Sequence, residues 1–125
     1  MEKYDREKGR QMFDEVYARS LGELPPPGAS QFIDFMLETL FGTLWADETL
    51  SIRDRRLLLL GAAVSQGDDT ILGIQLRAAL KRGELQKEQL EPLAVFLTQY
   101  VGYPKGSRLF RVVNEVKADS SSDKP

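Results

Sequence analysis

Two amino acids are absent from this chain of 125 residues, which contains neither cysteine nor histidine. The absence of cysteine excludes disulfides, thiol redox chemistry, zinc–thiolate sites and cysteine nucleophiles. The absence of histidine excludes serine–histidine triads and histidine metal sites, and it removes the most common proton carrier near neutral pH. Any catalysis must therefore depend on carboxylates, tyrosine, lysine or an ion held by oxygen ligands. We expect no resident cofactor and no metal.

Long apolar segments are also absent. The longest run, LLLLGAAV at 57–64, has eight residues, whereas a membrane-spanning helix needs about 18–20. The first residues, MEKYDREKGR, are charged throughout and lack the apolar segment of a secretory signal. We therefore expect a cytoplasmic protein with no membrane partner.

The charge balance is nearly even, with 17 basic and 19 acidic side chains and a net charge of −2. The arginine-rich stretch IRDRR at 52–56 superficially resembles a nucleic-acid patch, but acids lie close to it and no aromatic residues are interleaved. An acidic chain without a basic face has no general attraction to nucleic acid. We expect no nucleic-acid partner.

What the chain does contain is typical of one globular domain: 42% hydrophobic and 29% charged residues. Apolar residues recur at helical spacing almost throughout, and no strand-like alternation competes with them. The clearest stripe comprises Ile33, Met36, Leu37, Leu40, Phe41 and Leu44. The pattern predicts an all-α bundle of five to six helices over 1–117, followed by a disordered tail over 118–125.

Helix boundaries are indicated by capping residues and prolines. The first helix is predicted over 2–20 and is followed by three consecutive prolines, 25–27, which cannot continue a helix. Ser30 and Ser51 are suited to begin the next two helices, and Asp68 or Asp69 the fourth. Further helices are predicted over about 86–101 and from Pro104 onward. The helix over 52–66 should be central, with the run 57–60 buried.

From Phe41 onward the order of signals resembles the carboxymuconolactone decarboxylase family, which has the alkylhydroperoxidase-D-like helical fold. The matching pieces are FGTLWADETLSIRDRRLLLLGAAVSQG, then QLRAALKRG, then YVGYP before a closing helix. Each piece alone is mostly helix punctuation, but the ordered set with matching spacing is more specific. The resemblance implies an all-α subunit that forms trimers or hexamers with pockets between subunits.

The chain also departs from the family pattern at chemically important positions. The resemblance implies a histidine where this chain has Gln75, whose amide cannot change protonation state in a useful range. Thr43 stands where related decarboxylases often carry glutamate. The redox branch of the superfamily uses a Cys-x-x-Cys pair, and the corresponding stretch GDDTILGIQ has no thiol. Thiol peroxidase chemistry is therefore not expected.

Gln75 lies on the apolar stripe of its predicted helix, which leaves two interpretations. Either the amide is buried and hydrogen-bonded by its neighbours, or it lines a pocket and contacts a ligand. Arg55 presents the same choice, because an arginine on the core side needs a partner. It could clamp an anionic ligand, since guanidinium matches carboxylate geometry. It could instead pair with one of four nearby acids, Glu38, Asp47, Glu48 or Asp54.

Two large rings at predicted helix ends, Trp45 and Tyr100, complete the candidate site. Core packing is the alternative for both. In the catalytic hypothesis Gln75, Arg55 and Tyr100 act together. Arg55 holds a carboxylate, Gln75 stabilises the charge that develops as carbon dioxide leaves, and Tyr100 or a pocket glutamate supplies the proton. Trp45, Arg55 and Gln75 would bind the ligand.

Two functions follow from these residues. The first is decarboxylation of a small carboxylated lactone or related acid. The alternative is a non-catalytic protein on the same fold that binds a small ligand or serves assembly. Both predict a homo-oligomer, because the apolar stripes exceed what one small bundle easily covers, and both allow a small anionic metabolite as partner.

Overall fold

The computed structural model describes residues 3–122, and the side chains as far as residue 119. Within that range it contains helices and no β-strand, which confirms the all-α prediction. The six α-helices are α1 Arg6–Val16, α2 Gln31–Phe35, α3 Ile52–Gln66, α4 Asp69–Lys81, α5 Lys87–Val101 and α6 Tyr103–Ser122. A π-helix, Met36–Trp45, continues directly from α2. None of these helices combines the length and the apolar character needed to cross a bilayer.

The chain divides into two compact units, one ending at Arg55 and the other beginning at Arg56. In the first unit α1 packs on the π-helix. Gly9 allows the close approach, since a Cβ at this position would overlap the backbone carbonyl of Leu37. The core of this unit is aromatic: the ring of Phe41 lies 5.1 Å from that of Phe13 and 6.2 Å from that of Trp45.

The π-helix corrects one detail of the predicted stripe. Leu37 and Phe41 are buried as expected, but Leu40 and Leu44 are exposed. A π-helix bonds each residue to the fifth along the chain rather than the fourth, so it turns more slowly than an α-helix. The side chains buried in this segment therefore follow a different spacing, and Gly42 and Trp45 take the inner positions.

The predicted caps are present. The Ser30 hydroxyl accepts from the backbone N–H of Ile33 at 3.2 Å, and the Ser51 hydroxyl accepts from that of Asp54 at 3.0 Å. The Asp68 carboxylate caps α4 through the N–H of Ile71 at 3.0 Å. Gly67 ends α3 with φ at +73°, a conformation that glycine adopts without strain. Short-range chemistry thus sets most helix boundaries.

The second unit has an aliphatic core supplied by α3 to α6, which includes Leu60, Leu72, Leu76, Leu90, Leu109 and Val113. The prediction that the whole run 57–60 is buried is wrong, because Leu58 is 66% exposed. Four consecutive helical residues point in directions spread over the full circumference, so one of them faces outward unless the helix is covered on all sides.

The last helix continues past the predicted domain boundary. α6 extends to Ser122, so residues 118–122 of the expected tail are helical here. The rest of that predicted tail, 123–125, lies outside the described residues.

Candidate functional site

Gln75 lies in the middle of α4 with its side chain turned into the second unit's core, 1% exposed. Its carbonyl oxygen Oε1 accepts a hydrogen bond from Nη1 of Arg56 at 2.6 Å. A charged donor at that distance makes a strong hydrogen bond in a low-dielectric interior. The geometry therefore corresponds to the first of the two interpretations, a buried amide with a protein partner.

Arg56 is fully buried and forms a bidentate ion pair with Glu84. Its Nε donates to Oε1 at 2.9 Å and its Nη2 to Oε2 at 3.1 Å. Glu84 lies in the connection between α4 and α5, and its Oε2 also accepts from Nε of Arg82 at 2.6 Å. The Glu84 carboxylate thus pairs with the guanidinium groups of Arg56 and Arg82, and the guanidinium of Arg56 also donates to the Gln75 amide.

This buried cluster of Arg56, Gln75, Glu84 and Arg82 joins α3, α4 and the α4–α5 connection. Among the described side chains, every buried nitrogen and oxygen has a hydrogen-bond partner. A binding site normally presents some polar atoms that only a ligand satisfies. The cluster accordingly has the character of an internal polar network that fixes the register of three chain segments.

The helical pattern did not identify Arg56, because it placed the neighbouring Arg55 on the inward face. In the structure Arg56 shares a helical face with Leu60, Ala63 and Val64, all of which are buried. Arg55 shares its face with Leu58 and Leu59. Because four leucines follow, the helical face of Arg55 and that of Arg56 are equally apolar in the sequence. Only the packing of the helix shows which of the two faces is buried.

Arg55 instead holds the loop that precedes α3. Its Nη1 donates to the backbone carbonyl of Leu50 at 2.6 Å and to that of Asp47. Its Nη2 lies 4.0 Å from the carboxylate of Asp47, which is one of the four acids that the sequence offered as partners. The pKa of Asp47 is lowered mainly by the backbone N–H and hydroxyl of Thr49, with a smaller effect from the charge of Arg55.

Trp45 lies at the end of the π-helix and is nearly buried. It borders a cavity of about 420 Å³ in the first unit, together with Lys8, Glu15, Asp47 and Glu48. Three carboxylates and one ammonium group give this cavity a negative balance, which does not favour an anionic ligand.

Tyr100 is 79% exposed on α5, with its ring 5.4 Å from that of Phe96. Gln75 and Tyr100 belong to the same unit, yet one is in the interior and the other at the surface. The structure does not bring these two side chains together. Across the described residues, no group of three or more acidic side chains is placed to hold a metal ion.

The sequence segments around Gly42, Gln75 and Gly102 follow one another in the order that the resemblance to a known family requires. The sequence model of the carboxymuconolactone decarboxylase family matches residues 30–115, more than half of the chain. The chain belongs to this family. No curated protein and no solved structure matches it.

Membership of the carboxymuconolactone decarboxylase family confirms the resemblance seen in the sequence. The matched region contains the whole buried cluster as well as Trp45, Arg55 and Tyr100. Thr43 and Gln75, at which the resemblance implied other residues, also lie inside the matched region. In this structure the Gln75 amide is bound to a buried arginine.

Proposed function

We propose that this chain is a non-catalytic member of the carboxymuconolactone decarboxylase family that functions by assembling with copies of itself. The observation that carries the non-catalytic assignment is the hydrogen bond from Arg56 to Gln75. It occupies the acceptor of the amide within a fully buried ion-pair network. A glutamine cannot exchange protons, so it cannot supply the step for which decarboxylation needs an acid. The assembly assignment is supported by the large apolar side chains that stay exposed, among them Phe96 and Tyr100.

Decarboxylation of a small carboxylated lactone or related acid is the alternative, and family membership is what favours it. Arg55 would then hold the substrate carboxylate, Gln75 would stabilise the developing negative charge, and Tyr100 would donate the proton. A small anionic metabolite is the expected ligand in this case. Against this alternative, Arg55 donates to two loop carbonyls and Gln75 is sealed in the core.

The test is carbon dioxide release from 4-carboxymuconolactone by the full chain and by the Gln75→His variant. We expect no turnover by the wild-type protein. A variant that gains activity would support the same conclusion, because the missing group would then be the proton carrier. Circular dichroism of both proteins shows whether the variant is folded.

Turnover by the wild-type protein would overturn the proposal and favour the decarboxylase. In that case Tyr100→Phe separates the two possible proton sources: loss of activity assigns the donor to the phenol, and retained activity assigns it to another group. A cytoplasmic location remains a prediction from the sequence.

A further inference from the structure

The second unit carries a small hollow between α5 and α6, about 160 Å³ in volume. Its floor consists of the small residues Ala94, Thr98 and Gly106, and Tyr103 and Phe110 stand at its edges. A Cβ at Gly106 would overlap the side chain of Thr98, so the glycine lets the two helices approach closely at this point. None of the side chains that line the hollow is charged.

Beside the hollow, α5 presents the exposed rings of Phe96 and Tyr100. We define the α5–α6 face as Val95, Phe96, Tyr100, Tyr103 and Phe110. A shallower depression continues the face toward the start of α5, where Pro92 and the charged Glu91 and Lys117 border it. The face therefore has an apolar centre and a charged edge, the distribution typical of protein interfaces.

The exposed area of this face can be estimated from its four aromatic residues. The exposed fractions are 62% for Phe96, 79% for Tyr100, 69% for Tyr103 and 46% for Phe110. With about 200 Å² for each aromatic side chain, they leave about 500 Å² of largely apolar surface in water. This area is comparable with the largest apolar patch on a typical monomer, which is often functional. Two such faces together reach about 1,000 Å², the lower bound for a specific protein–protein interface.

We propose that the α5–α6 face binds the same face of a second copy of this chain, with a ring from each copy seated in the hollow of the other. A two-fold interface requires one face to carry both a projection and the depression that accepts it, and this face carries both. The hollow also matches a ring in size, since a cavity of about 150 Å³ holds benzene. This inference rests on the proposed assembly function and names its contact surface.

The first experiment measures molecular mass by light scattering during gel filtration at micromolar concentration. We expect the wild-type chain to be oligomeric, and we expect Phe96→Glu and Tyr100→Glu to raise the dissociation constant about thirtyfold or more. That is the effect of losing one central interface side chain. Phe32→Glu is the matched control, because Phe32 on α2 is 78% exposed but outside this face. It should leave the mass unchanged.

A wild-type monomer would overturn the inference. So would a wild-type oligomer that Phe32→Glu dissociates while Phe96→Glu and Tyr100→Glu leave it intact. That second outcome places the contact on another surface and leaves the proposed assembly function standing. Carbon dioxide release is measured on the same samples, so an active oligomer removes the non-catalytic assignment without affecting the interface.

Cross-linking provides an independent measurement, because the chain contains no cysteine of its own. Val95→Cys places a single thiol on the proposed face and Gln99→Cys places one at the rim of its hollow. Gln11→Cys places one on the exposed side of α1. We expect at least one of the first two variants to form a disulfide dimer under mild oxidation faster than Gln11→Cys. Equal rates for all three would contradict the proposed contact, since disulfides need Cα atoms within about 7 Å of each other.

Discussion

Replacing Glu84 with glutamine should destabilise the fold strongly, because it removes the negative charge from the buried cluster. Arg56 is completely buried, and the carboxylate of Glu84 faces it through two hydrogen bonds of 2.9 and 3.1 Å. A buried ion pair that loses one partner leaves an uncompensated charge in the interior, which costs about 3–5 kcal/mol. Glu84→Gln should lower the free energy of unfolding by that amount.

The double variant Arg56→Met, Glu84→Leu tests whether the cost comes from the uncompensated charge. Apolar side chains of similar volume at both positions remove the charge together with its partner, which is often neutral or stabilising. The double variant also removes the donor of the buried Gln75 amide, which costs about 1–3 kcal/mol. Because this is less than the cost of the uncompensated charge, we expect the double variant to be more stable than Glu84→Gln. The free energies are obtained from urea titrations followed by far-ultraviolet circular dichroism at fixed protein concentration.

An exposed pair on the same unit serves as the control. Arg77 and Asp119 form an ion pair at 2.8 Å with both side chains about half exposed. Surface pairs contribute about 0–1 kcal/mol, so Asp119→Asn should change the stability little. The reasoning is refuted if Glu84→Gln costs no more than Asp119→Asn, or if the double variant is the least stable of the set.

Two further stability predictions follow from single contacts. The pKa of Asp69 is lowered, first by its hydrogen bond from Arg108 and then by the charges of Arg108 and Arg111. The contribution of Asp69 to the free energy of unfolding is therefore complete above its ordinary pKa of 3.8, and it is lost as the pH falls through the lowered value. In acid titrations the wild-type protein should lose stability more steeply than Asp69→Asn, and equal slopes would contradict this. Gly9→Ala should lower the free energy of unfolding by about 1–3 kcal/mol through overpacking against Leu37. Gly22→Ala, where a Cβ meets open space, should be near neutral in the same urea titration.

The buried cluster explains why periodicity alone could not decide between the two interpretations of Gln75. An amide on an apolar stripe needs a hydrogen-bond partner in any buried setting. Which partner it has depends on a residue 19 positions earlier in the chain, on another helix. The sequence predicted that Gln75 faces inward, and that prediction agrees with its burial.

Arg55 and Arg56 show the same limit of predictions made from helical periodicity. The pattern placed an arginine on the core side at the start of α3, with either an acid or an anionic ligand as its partner. The buried arginine that pairs with an acid stands one position later. A shift of one residue rotates a side chain by about 100° around the helix axis, which exchanges core for surface. With four leucines following, the local pattern could not distinguish the two phases.

Local chemistry was decisive for the helices themselves. The N-caps Ser30, Ser51 and Asp68 and the left-handed Gly67 act through hydrogen bonds and backbone angles within a few residues. Ser30 and Ser51 are where the sequence placed them, and Asp68 is one of the two acids predicted to begin α4. The resemblance to the family had the same basis, since it depended on the order and spacing of such signals from Phe41 onward, and the family model matches residues 30–115.

The sequence by itself therefore determined the helical class, most helix boundaries, the family and the chemistries that are excluded by the absence of cysteine and histidine. The tertiary structure decided which arginine is buried, that Glu84 completes its ion pair, and which rings stay exposed on α5 and α6. The physical reason is range. Capping and backbone conformation act between neighbours in the chain, whereas burial and ion pairing depend on segments that folding alone brings together.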